Sequence, residues 1–303
     1  MGRRKPRTWP EASAPLAGPV VDNHTHLPVH EGEIPTADGV RMPLEEQLAR
    51  ARAANVVGMV SSACEMPDFD PMLDLARAHE GVRVALAIHP NEAALHAGVA
   101  EPSPDGLTPR IEAHHAPLDE ALAAVEARLK DPLLVAVGET GLDYFRTAEA
   151  GRAAQKRAFA AHLELAADAG LPLQIHDREA HADCLKVLDD VATRDQGIVF
   201  HCFSGDGELA SALAAKGWYA SFAGPITYPA NEGLREGLAT MPRELVLVET
   251  DAPYLAPIPH RGAPNASYVM VHTVRFIAEL WGVGEAEACA QLTENTRRLY
   301  GAW

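Results

Sequence analysis

The chain has 303 residues, 47% of them hydrophobic, enough for two average domains or one large α/β barrel. Its net charge of -16 excludes broad duplex binding through a basic surface, because such binding rests on Lys and Arg neutralising phosphates. A phosphate substrate stays open, since site-bound metal ions invert the local charge.

Residues 1–19 carry Arg3, Arg4, Lys5 and Arg7 and then Pro and Ala, which reads as a flexible N-terminal tail ahead of a single domain over 20–303. No run of 18 or more apolar residues follows, so no membrane segment is expected. Cys64, Cys184, Cys202 and Cys289 are widely spaced without a CxxC pair, which fits thiols in a reducing, cytoplasmic setting.

The first apolar pair, Val20-Val21, leads into Asp22-Asn23-His24-Thr25-His26-Leu27. On an extended chain alternate side chains share a face, so His24 and His26 point the same way, half of a metal site. Residues 28–43 read as a loop, Leu44–Asn55 as an amphipathic helix, Val56–Ser62 as a strand and Asp70–His79 as a short helix. Val82–Ile88 is a third strand, stopped by His89-Pro90. The segment 91–117 contains Glu101-Pro102-Ser103-Pro104-Asp105-Gly106 and reads in part as an insertion, its His96, His114 and His115 expected to be exposed. Leu118–Lys130 is a helix, and Leu133–Glu139 an apolar run ending in a carboxylate.

Arg152–Ala169 is helical, with His162 expected to be packed or at the surface. Leu171–His176 is a strand, followed by a helix over Glu179–Val191, the strand Gly197–His201 and a helix over Glu208–Lys216. Trp218–Phe222, a short helix over Leu234–Thr240, and Leu245–Glu249 complete the strands, with helices near Tyr268–Trp281 and Ala286–Tyr300 closing the chain. Eight apolar runs alternating with helices predict a (β/α)8 TIM-type barrel in the α/β class. An open doubly wound sheet is the rival, but no Gly-rich phosphate fingerprint follows the first strand.

The ionisable residues fall where chemistry needs them. His24 and His26 end the first run, Glu139 the fourth, His176 the fifth, His201 the sixth and Asp251 the eighth. In a parallel barrel every strand C-terminus opens on one face, and that face carries the active site. Imidazoles mixed with carboxylates suit zinc and tolerate manganese, magnesium, iron or nickel. Six donors can serve two divalent ions if one carboxylate bridges, and Glu139, central in strand order, is the candidate bridge.

The motifs Asp22-Asn23-His24-Thr25-His26-Leu27, Ile88-His89-Pro90, Gly138-Glu139-Thr140-Gly141-Leu142-Asp143-Tyr144, Ile175-His176-Asp177-Arg178, His201-Cys202-Phe203-Ser204-Gly205, Glu249-Thr250-Asp251-Ala252-Pro253-Tyr254 and Arg261-Gly262 occur in that order. Together they resemble the TatD family of metal-dependent deoxyribonucleases, within the amidohydrolase-like barrels. The resemblance implies one ion on His24, His26, Glu139 and Asp251, and a second on Glu139, His176 and His201. It implies a metal-activated water cutting a phosphodiester, with Asp251 and Glu139 catalytic and Asp251 accepting the proton. The implied substrate is DNA; few aromatics (6%) and the acidic balance favour short or single-stranded DNA over long duplex, and a cytoplasmic monomer is expected.

Arg178 and Arg261 are candidates to grip phosphate, and His89 to contact substrate. Glu249, two residues before Asp251, shares that face. Pro28, Ala87, the segment 261–267 and the long loop 91–117 depart from the family pattern, all on the substrate side. The alternative is the same barrel and ions acting on a small-molecule or aminoacyl-tRNA ester or amide.

Overall fold

A computed structural model describes residues 8–193 and 195–301. The eight main strands are β1 (Val20–Thr25), β2 (Val56–Ala63), β3 (Val82–Leu86), β4 (Leu134–Asp143), β5 (Leu173–Arg178), β6 (Ile198–Phe200), β7 (Tyr219–Phe222) and β8 (Val246–Val248). Between them run α1 (Leu44–Ala53), α2 (Phe69–Ala78), α3 (Pro90–His96), α4 (Leu118–Glu126), α5 (Arg152–Ala169), α6 (His181–Val191), α7 (Gly207–Lys216) and α8 (Glu232–Thr240), followed by α9 (Val271–Trp281) and α10 (Glu285–Tyr300). The strands are parallel and pair in chain order, β1 through β8. This is the expected (β/α)8 order.

Two boundaries moved for local reasons. The fourth run continues past Glu139 because Thr140, Gly141, Leu142 and Asp143 pair with Ile175, His176, Asp177 and Arg178 of β5. The loop 28–43 contains a small antiparallel ladder, Thr36–Ala37 with Val40–Arg41. Its turn is Asp38-Gly39, both at positive φ (49° and 75°), the Asp-Gly preference of a two-residue hairpin.

The chain divides into two compact units, one made of residues up to Ser61 with those from Gly205 on, the other of Ser62–Ser204. In the first, β8 pairs with β7, and the ends of β1 and β8 meet. The Asp251 amide donates to the His24 carbonyl (3.0 Å), and the His26 amide donates to the Ala252 carbonyl (2.8 Å). The last strand thereby returns to the first, as a barrel requires. The basic residues Arg3, Arg4, Lys5 and Arg7 lie outside the described residues. Residues 8–19 are largely exposed but anchored at several points. Leu16 is buried, Tyr268 Oη donates to the Pro10 carbonyl (2.7 Å), and the Ala17 amide donates to Glu285 (2.8 Å).

In the second unit β3, β4, β5 and β6 pair in sequence, with Phe159 and Leu163 of α5 fully buried. Each of these side chains contributes about 1.5–3 kcal/mol by leaving water. His162 lies on the same buried face. Its Nε2 accepts from the Ile88 amide (3.3 Å), and its Nδ1 lies 2.8 Å from Thr140 Oγ1. Burial pushes its pKa down to about 3, so it is a neutral, packed histidine.

The insertion histidines depart from expectation. His96 is buried and the His115 side chain is nearly so, because polar partners on α3 and in the loop hold them, while His114 is partly exposed. Among the described residues no helix is long and apolar enough to cross a membrane.

Candidate metal centre

In the first unit, β1 delivers His24 and His26 from the same strand face. Their Nε2 atoms lie 3.3 Å apart, and 3.9 and 3.4 Å respectively from Asp251 Oδ1. His24 is fully buried and His26 partly open. Asp251, just after β8, adopts a left-handed backbone (φ 52°) that Asp tolerates better than most residues.

Beneath these three residues lies a buried polar layer. Asp22 accepts from the Thr250 amide (2.8 Å) and hydroxyl (2.6 Å). Asn23 Nδ2 donates to the Val248 carbonyl (2.8 Å), while its Oδ1 accepts from Thr296 of α10 (2.9 Å). Burial lifts the Asp22 pKa to about 7, with hydrogen bonds from Thr250 and Ser267 working against that rise. Glu249 is also fully buried.

In the second unit the donors face one another directly. Glu139 lies within β4, where the pairing with β5 shifts register between Val137 and Thr140, and glycines are needed on both sides. A Cβ on Gly138 would stand 2.5 Å from Gln174 Cβ, and one on Gly141 (φ 136°) 2.1 Å from the His176 carbonyl oxygen. Glu139 Oε2 accepts from His176 Nδ1 (2.9 Å), and it lies 2.7 Å from His201 Nε2 and 3.7 Å from His89 Nε2. Burial alone would raise the Glu139 pKa, but the imidazoles of His201, His89 and His176 hold it well below the usual carboxylate range.

His176 Nε2 meets a second carboxylate, Asp143 Oδ2, at 3.1 Å. Burial pulls the His176 ring down, yet the two carboxylates outweigh it and lift its pKa to about 9. His89 goes the other way: burial drives it down to about 3, so its ring is neutral. Its Nδ1 accepts from the Asn91 amide (3.1 Å), capping α3, and the ring packs edge-on to His176. It both starts the turn and faces the site.

Asp143 escaped the sequence reading as a site residue. It is buried, and its Oδ1 accepts from the amides of Phe145 (3.0 Å) and Arg146 (2.7 Å), which fixes the carboxylate against His176. The signal was present, because Glu139, Gly141 and Asp143 share strand parity. Cys64 Sγ, 3.3 Å from Glu139 Oε1, had no comparable signal. All four cysteines are thiols. The two candidate arginines are exposed and lie over aromatic rings, Arg178 at 4.0 Å from the Phe145 centroid and Arg261 at 4.4 Å from that of Tyr228.

Both donor sets, two imidazoles with a carboxylate and three imidazoles around a carboxylate, fit zinc and its divalent neighbours. The model for TatD-related DNases matches residues 21–301 of the chain. A Mycobacterium tuberculosis protein named as an uncharacterized metal-dependent hydrolase TatD is 37% identical, over 93% of this chain and 98% of its own length. A Cronobacter sakazakii protein named 3′-5′ ssDNA/RNA exonuclease TatD is 31% identical, over 84% of this chain and 91% of its own. The crystal structure of YJJV, a TatD homolog from Escherichia coli, superposes with a TM-score of 0.77 at 27% identity, covering 94% of this chain and 98% of that one. The chain therefore belongs to the TatD-related DNase family and is a metal-dependent hydrolase with that family's barrel.

Proposed function

We propose that the protein is a two-metal phosphodiesterase that trims short or single-stranded DNA ends. The observation that carries this is Glu139, a buried carboxylate ringed by three imidazoles within β4. The bridging role of Glu139 rests on the family resemblance. His24, His26, Glu139 and Asp251 would hold one divalent cation, and Glu139, His176 and His201 the other. Zinc suits the donors best, ahead of manganese, magnesium, iron or nickel. The ions would supply Lewis acidity toward water and the phosphoryl oxygens.

The chain's own residues then have defined tasks. Asp251 accepts the proton from the attacking water. Asp143 and Cys64 steady His176 and Glu139. The neutral ring of His89 can hydrogen-bond a phosphoryl oxygen. Arg178 and Arg261 offer bidentate donor forks to flanking phosphates. Relatives named as single-strand exonucleases support a nucleic-acid substrate, and the acidic surface favours frayed ends over long duplex.

We take residues 20–303 to form the catalytic domain of a cytoplasmic monomer, supported by the four thiols. The test is hydrolysis of a labelled single-stranded oligonucleotide by metal-stripped protein before and after adding zinc or manganese. Metal-restored cleavage is expected. Cleavage that ignores metal, or turnover confined to small or aminoacyl esters, would overturn the proposal.

A further inference from the structure

The donors on α3 and in the loop that follows it are not used by the chemistry above. Glu92 and His96 sit four residues apart on α3, on one helix face. The loop returns His114 and His115 to that face. His96 Nδ1 donates to the Ala116 carbonyl (2.6 Å), which ties the end of the insertion to the helix.

His115 has a fixed tautomer. Its Nδ1 accepts from the Glu112 amide (2.7 Å), so the ring proton sits on Nε2, which donates to Glu92 Oε2 (2.7 Å). His115 therefore aims the Glu92 carboxylate. His114 presents the opposite case. Its Nε2 is buried with no hydrogen-bond partner, yet it stands 3.5 Å from Glu65 Oε2 and 4.0 Å from Glu92 Oε2.

Those separations are long for hydrogen bonds. They sit at or slightly beyond the roughly 3.4 Å edge of a tetrahedron with bonds of about 2.1 Å. They also repeat the spacing of His26 and His24 from Asp251, 3.4 and 3.9 Å. Two carboxylates facing one imidazole nitrogen favour a dication over a monocation or an anion.

We infer that Glu65, Glu92 and His114 form a separate divalent-cation site of zinc type at the base of the insertion, with His115 as the residue that positions Glu92. A cation there joins three chain segments: the turn after β2, the first turn of α3, and the end of the loop. It would fix the insertion against the helix that His89 caps. The inference does not depend on the strand-end ions.

The test is zinc titration of metal-stripped, full-length protein against a chromophoric chelator. Wild type should bind one equivalent more than Glu92→Gln/His114→Gln. His115→Gln should keep that equivalent but weaken it about 10–100-fold, as loss of a ligand-orienting hydrogen bond does. Equal stoichiometry in wild type and the double variant overturns the inference. Circular dichroism checks that the double variant folds. If it does not, Glu65→Gln, a change on a partly exposed side chain, decides by the same count.

Anomalous diffraction from zinc-loaded crystals gives an independent answer. A peak between His114, Glu65 and Glu92 supports the site, and zinc peaks found only elsewhere overturn it. Glu139→Ala separates the two proposals. It should abolish strand-end binding while this equivalent persists.

Discussion

The two units hold their donors by different means. In the first, His24, His26 and Asp251 rest on a scaffold: Asp22 clasps Thr250, and Asn23 ties β1 to β8 and α10. In the second, the donors hold one another, Glu139 against His176, His201 and His89, and His176 against Asp143. The pKa shifts follow this division. Mutual pairing lifts His176 to about 9 and pushes Glu139 well down, whereas burial without a countercharge raises Asp22 to about 7. A scaffolded set should fail through lost geometry, and a mutually held set through lost charge balance.

The largest expected effect is on the mutual set. Glu139→Ala should lower oligonucleotide hydrolysis about 10³-fold or more and reduce bound metal, because several kcal/mol of transition-state stabilisation would be lost with the ions. Undiminished turnover with full metal content would break the contrast. In the scaffolded set, Asp251→Asn keeps the shape but removes the proton acceptor. It should cost about 10²–10⁴-fold in kcat, read by single-turnover kinetics.

Stability should divide the two units as well. His162 stays neutral in the folded second unit down to about pH 3, whereas its ordinary value is 6.5. The unfolded chain therefore binds the extra proton first, so stability is intact above pH 6.5 and is lost as pH falls toward 3, by roughly 1.4 kcal/mol per unit. His162→Gln should flatten that slope in urea melts at pH 7 and 4.5, and an unchanged slope would assign the acid sensitivity elsewhere. Asn23→Ala should cost about 1–3 kcal/mol at any pH in this range, since it strands buried polar partners without changing charge. The smallest effect is at the rim. Arg178→Ala should raise KM about tenfold with kcat nearly unchanged, the loss of one exposed phosphate contact worth about 1.4 kcal/mol.

Much of the chain was legible in one dimension. Apolar runs separated by helical periodicity located all eight strands, and the ionisable residues closing five of those runs made His24, His26, Glu139, His176, His201 and Asp251 the candidates. Parity along one strand is a local property, which is why an HxH pair can be read directly. Asp143 was missed because the apolar run stops at Glu139, while pairing to β5 carries the strand four residues further.

The insertion was misread for a related reason. A polar, Pro-rich loop looks solvated, and only the fold brings His115 to Glu92, 23 residues away, and His114 to Glu65, across 49 positions of chain.

By itself, then, the sequence determined the strand and helix periods, the barrel class, and where the donor-type residues fall along the chain, because these depend on spacing within a few residues. Tertiary structure alone decided which imidazoles are neutral or charged, which carboxylates are held, and that the side chains of His96 and His115 are buried. Those properties depend on burial and on partners far apart in the chain, and no local pattern encodes either.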